Sequence, residues 1–198
     1  MQLIPVFGAA LFALLYFIAT LYYPGGSQAN QFSIGFSWMN NYWCNLLNYV
    51  AINGKPNTAK PIAMVALFVL CVSLMFFWLN ISREIYFSKT LKLLVKYCGI
   101  TSMIIAFLLF TNINHDLLIN GSSALGCIAL IGSFIALYKL KFIAAFRLGL
   151  LNMICIVANN ILYYNESLII YLPLVQKISF LLFLLWISFV SIQLYKKK

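Results

Sequence analysis

Acidic side chains are nearly missing from this chain. Its 198 residues include three Asp or Glu and one His, and charged residues of both signs make up 8%, against about 25% in an ordinary soluble domain. With 64% of the residues hydrophobic and a mean hydropathy of +0.98, that scarcity excludes a water-soluble globular protein. It also narrows the chemistry. The cysteines stand at 44, 71, 98, 127 and 155, without the CxxC or HxxxH spacing of a zinc site and with no evident disulfide partner for Cys44. Nucleophile elbow, phosphate-binding loop and dinucleotide fingerprint are all lacking. No metal or other cofactor is expected.

What is present is hydrocarbon in long runs. Lipid admits only helices and closed barrels, because every backbone polar group must be satisfied internally. Barrel strands alternate apolar with polar residues, and these runs do not alternate. Six runs of the roughly twenty residues that a bilayer requires cover about 3–22, 61–81, 93–113, 122–140, 148–164 and 172–195. The expected fold is an all-α membrane protein, a six-transmembrane-helix bundle forming a single integral-membrane domain over 1–198. The fifth run is the weakest, since Asn152, Asn159 and Asn160 interrupt it, and a five-helix arrangement with that segment partly re-entrant is the alternative. The first run has no basic residue ahead of it and exceeds a normal signal-peptide core, so a retained helix is expected.

The net charge of +10 suits nucleic acid in bulk, but its placement suits a membrane. Arg83, Lys89, Lys92 and Lys96 fall between runs two and three, Lys139, Lys141 and Arg147 between four and five, and Lys196, Lys197 and Lys198 at the end. These are alternate connections on one side, as the positive-inside rule requires. An even number of helices puts both termini on that cytoplasmic side. The expected location is a cell membrane, the inner or plasma membrane in a bacterium, with membrane lipid and other membrane-protein subunits as partners and nucleic acid excluded.

The long connection, 24–59, then lies outside. It opens on Pro24-Gly25-Gly26-Ser27, which breaks a helix, and closes on Asn53-Gly54-Lys55-Pro56-Asn57, which is turn chemistry. Between these, Phe36, Met39, Trp43, Leu46, Leu47 and Val50 recur at near-helical spacing, with Asn40, Asn41, Cys44, Asn45 and Asn48 largely on the other face. The spacing predicts an interfacial helix or compact cap, held at the membrane boundary by Trp and Tyr. A sharper reading turns the Asn face inward to line a pocket.

Residues 35–47, Gly-Phe-Ser-Trp-Met-Asn-Asn-Tyr-Trp-Cys-Asn-Leu-Leu, followed by Asn53-Gly54-Lys55-Pro56-Asn57 and a second helix, resemble the first outer loop of the integral-membrane family labelled domain of unknown function 998. The resemblance is concentrated over 24–80. It implies six helices and carries no biochemical activity. Where family members often show Ser-Asp-Leu, this chain has Cys44-Asn45-Leu46.

Few groups remain that could do chemistry. His115 and Asp116 fall between the third and fourth runs, where a His with an ordinary pKa near about 6.5 could act as a base or pH sensor, or simply anchor a polar loop. Lys177 lies one turn inside the sixth run with Glu166 before it, placed either to snorkel or to face inward. Asn152, Cys155, Asn159 and Tyr163 share one face of the fifth helix, as a lining for a polar substrate or as inter-helix hydrogen bonds. The candidate outer site is therefore His115, Asp116, Lys177, Glu166, Asn40, Asn41, Cys44 and Asn45. The expected function is that of a non-catalytic accessory subunit or a lipid- or small-molecule-binding protein. The alternative is a membrane enzyme or carrier using an outward-facing His/Asp/Lys site.

Overall fold

A computed structural model describes residues 1–111 and 114–197. The expected end of the third run at Ile113, and Lys198, lie outside the described residues, as does the side chain of His115. The architecture is all-helical: α1 Ile4–Leu21, α2 Lys60–Arg83, α3 Lys89–Phe107, α4 His115–Lys139, α5 Ile143–Tyr163 and α6 Leu172–Lys196, with short 3-10 turns at Trp43–Leu47, Leu108–Phe110 and Ile169–Tyr171. All six α-helices are long and apolar enough to cross a membrane. That includes α5, which runs unbroken through its three asparagines for 21 residues.

Helices α3, α4 and α5 begin several residues before their apolar runs do. For α3 and α4 the reason is capping. Ser88 Oγ accepts from Leu91 N at 3.2 Å and Asn114 Oδ1 from Leu117 N at 3.1 Å, satisfying N–H groups that a helix start leaves without partners. Asp116 in the first turn of α4 and Lys139 in its last turn sit where the helix dipole favours each sign. The turn from α4 to α5 is short, with Lys141 in the left-handed region at φ 60°.

The chain divides into two compact units, Met1–Phe12 with Leu67–Gly149 and Leu185–Lys198, and Ala13–Ala66 with Leu150–Leu184. In the first, aromatic rings make the core: Phe77 meets Trp78 at 5.0 Å and Trp186 at 5.6 Å, and Phe134 also meets Trp186 at 5.6 Å. Trp186 Nε1 donates to the Ala145 carbonyl at 2.9 Å, so a buried indole keeps a polar partner. Small residues let helices approach. Ser102 of α3 donates to the Ser122 carbonyl of α4 at 2.7 Å, Gly132 faces Val95, and Gly99 lies against the Trp78 indole. Close packing of small residues takes over where lipid supplies no hydrophobic drive between helices.

The second unit contains the whole of segment 24–59. Its stack runs from Tyr16 to Trp43, with centroids 4.7 Å apart and planes 16° apart, and on to Phe180 at 5.6 Å. The helix suggested by the spacing over 36–50 is reduced to the five-residue 3-10 turn Trp43–Leu47. Asparagine side chains at 41 and 45 bond the local backbone in its place, which is the competition that disfavours Asn inside helices.

Candidate functional site

The two faces of the loop pattern are each split between core and surface: Leu46 and Leu47 are buried but so are two asparagines, and Asn48 is exposed. Asn41 and Asn45 are buried, whereas Trp38, Met39 and Val50 are exposed. Burying an amide is costly unless it is hydrogen-bonded, and here both are. Asn41 Oδ1 accepts from Ser37 N at 2.8 Å, and its Nδ2 donates to the Gly26 carbonyl at 2.8 Å. Asn45 Oδ1 accepts from Tyr42 N at 2.7 Å. Gly25 and Gly26 adopt φ of 131° and 82°, a region that favours glycine. A Cβ on either would run into backbone, at Ser33 and Asn53 respectively.

Asn57 is the second half of this scaffold. Its Nδ2 reaches the carbonyls of Asn45, Leu46 and Asn48 at 3.1, 3.2 and 2.8 Å, and its Oδ1 accepts from Ala59 N at 3.1 Å. One side chain thus ties the end of the 3-10 turn to the start of α2. The sequence reading took Asn53–Asn57 as turn chemistry and passed over this role. Asn in the turn just ahead of a helical apolar run is also a helix-start signal, and Asn57, four residues before the second run, carries it. Tyr23 was missed too: its hydroxyl accepts from Ile52 N at 3.1 Å, and burial pushes its phenol up from the ordinary value.

Lys177 faces inward. Only 4% of it is exposed, and Nζ donates to the Asn41 carbonyl and, at 2.8 Å, to the Pro173 carbonyl, with the Phe36 ring centroid 5.5 Å away. Its partners are backbone, and Glu166 stands exposed in the turn before α6. Beside it is the half-buried Cys44. Burial pushes that thiol up, and a backbone hydrogen bond and the Lys177 amine only partly offset the effect. Cys44 is therefore a poor nucleophile. A second amine, Lys60, is buried beneath the Tyr49 ring at 2.7 Å from its centroid.

An open cleft of about 320 Å³ adjoins this scaffold, lined by Gln28, Ala29, Asn40, Tyr42, Ile169, Ile170 and Pro173. Asn40 donates to Ser37 Oγ at 3.1 Å, and its carbonyl accepts from Gln28 N at 3.2 Å. The lining holds neutral amides, one phenol and aliphatic side chains, and no formal charge. Pro173 gives its carbonyl to Lys177, so the amine lies one residue behind the cleft wall.

No family model, curated protein or solved structure matches the chain.

His115 and Asp116, expected in a loop, form the start of α4 in the first unit, and Asp116 is exposed. In α5, Asn159 Nδ2 donates to Ser179 Oγ of α6 at 2.6 Å and to the Cys155 carbonyl at 2.8 Å, which is the inter-helix bonding the shared face suggested. Asn152 is buried, while Tyr163, on the same nominal face, is exposed. Among the described residues no three His, Cys, Asp or Glu side chains come together as a metal site.

Proposed function

We propose that this chain is an integral membrane protein of the non-catalytic kind, an accessory subunit or a lipid- or small-molecule-binding protein. Its ligand sits in the neutral cleft beside the asparagine-built loop. One observation carries the reading. The groups that could have formed a reactive site, Lys177, Asn41 and Asn45, are bonded to backbone as scaffold. The thiol among them is held protonated by burial. What this leaves open to a ligand is the amide, phenol and aliphatic lining of the cleft, at the small end of ordinary ligand pockets. That lining suits a small uncharged polar molecule, or the neutral part of a lipid headgroup.

Both termini are cytoplasmic and residues 24–59 are outside in this proposal. The support is charge placement: Arg83, Lys89, Lys92, Lys96, Lys139, Lys141, Arg147 and Lys196 to Lys198 fall in alternate connections and at the end of the chain, as the positive-inside rule requires. The likeness of residues 35–57 to the first outer loop of the family labelled domain of unknown function 998 points the same way and adds no activity.

The test is purification in mild detergent with mass spectrometry of what co-purifies, comparing the wild type with Ile170→Trp, which fills the cleft. A defined small molecule, lipid or protein retained by the wild type and depleted in the variant is the expected result. Equal retention by both, or retention of nothing, overturns the reading. Cysteine-accessibility labelling in a Cys-free background checks the orientation, and efficient labelling from outside at position 92 or 141 would reverse it.

A further inference from the structure

The first unit carries a second surface feature that the cleft does not explain. Thr90, Leu93, Leu94, Tyr97 and Cys98 of α3 line a shallow groove of about 260 Å³. They stand at i, i+3, i+4, i+7 and i+8 and so form one helix face. Thr90, Leu93, Leu94 and Tyr97 are all exposed. A face of this kind, about 12 Å long at 1.5 Å per residue, is as long as part of an acyl chain.

The groove starts at the basic end of the helix. Lys89 immediately precedes its first residue, and Lys96 lies beside Leu93 on the same flank of the helix, one turn further on. Lys96 Nζ is folded over the Tyr97 ring at 4.9 Å, at the edge of the groove. Among the described residues neither amine is in an ion pair. The acids of the first unit are Glu84 and Asp116. Glu84 is paired with Lys197 at 3.0 Å, and Asp116 is at the start of α4. Lys89 and Lys96 thus flank one side of an exposed apolar strip.

An apolar face with Lys89 at its start and Lys96 along its flank is complementary to a molecule with a hydrocarbon tail and a negative head. We propose that this groove on α3 binds an anionic phospholipid. One acyl chain lies along Leu93, Leu94 and Tyr97, and the phosphate is held by Lys89 and Lys96. Juxtamembrane cations attract anionic headgroups in this way, and the aromatic ring under Lys96 keeps its amine near headgroup level. The proposal rests on the reading that these helices cross a bilayer. It requires neither the cleft nor its ligand.

The experiment is native mass spectrometry of the full chain from nanodiscs containing equal phosphatidylglycerol and phosphatidylcholine. Wild type is expected to retain phosphatidylglycerol preferentially. The double variant Lys89→Gln/Lys96→Gln should lose that preference by about twenty-five-fold, at roughly fivefold per cation near an anionic surface. Leu93→Trp, which fills the groove and keeps both amines, should lower retention as well, whereas Lys141→Gln should not. Equal retention of the two lipids by wild type, or an undiminished preference in the double variant, overturns the proposal. So does cross-linking at Cys98 that finds a second protein chain on this face. Incorporation of every variant into nanodiscs is scored separately, so that loss of the groove is not confused with failure of the membrane reading.

Discussion

Replacing Asn57 with alanine should destabilise the second unit more than any exposed change in segment 24–59. The side chain is buried and makes four contacts, three from Nδ2 to carbonyls and one to Oδ1 from Ala59 N. An amide has two N–H groups, so three carbonyls share two hydrogens. Counting two donated bonds and one accepted bond at about 0.5–1.5 kcal/mol each gives a loss of about 1.5–4.5 kcal/mol. Asn57→Asp separates the two roles. Aspartate caps a helix about as well as asparagine, so it keeps the bond from Ala59 N. It offers the three carbonyls no hydrogen, however, and sets a carboxylate against them. It should therefore be at least as damaging as alanine. Denaturation in detergent micelles, followed by tryptophan fluorescence, gives the magnitude, and hydrogen exchange over residues 43–60 gives the location. An alanine variant within about 1 kcal/mol of wild type would refute the counting. An aspartate variant as stable as wild type would show that Asn57 only caps α2.

Three further outcomes follow from the same geometry. Lys177→Met leaves the Asn41 carbonyl without its amine and should cost about 1–3 kcal/mol, read by the same denaturation, whereas exposed Lys55→Met should be neutral. Gly99→Ala puts a Cβ into the Trp78 indole, an overpacking expected to cost about 1–3 kcal/mol and to be visible as a changed tryptophan emission. Cys44 has a raised pKa, so its thiolate fraction at a given pH is below that of an ordinary thiol. Maleimide labelling should be slow near neutrality and accelerate only at higher pH than for an exposed cysteine. The same direction at Cys44, Tyr23 and Tyr42 makes their contribution to stability complete below the ordinary thiol and phenol values. It is lost as pH rises through the raised ones.

Helix number was legible because about twenty apolar residues in a row admit few structures. The ends α1, α2 and α6 fall within two residues of the hydropathy runs. The starts of α3, α4 and α5 do not, since Lys89, His115 and Arg147 are polar and hydropathy discounts them. For α3 and α4 the caps Ser88 and Asn114 carried that information. The loop was harder. Its Asn and apolar positions alternate with a helical period, but the period says which residues share a face and not which face is buried. Asn41 and Asn45 went inside because local backbone groups needed them, a preference that depends on the turns at Gly25 and Gly26. Lys177 could be read as snorkelling or inward from its depth alone. The Asn41 carbonyl, far away in sequence, decided it.

Segment 24–59 contains no Asp or Glu, and Lys55 is its single charged residue. Its internal fastening is amide to carbonyl and hydroxyl to carbonyl. Salt screens interactions between charges, and bonds of this kind offer it nothing to screen. Acid likewise finds no carboxylate to protonate there. The loop should thus keep one shape across swings in ionic strength, and from mildly acidic to neutral surroundings. In the outward placement proposed above, the segment would face an unregulated medium and benefit from that constancy, which ion pairs would not provide.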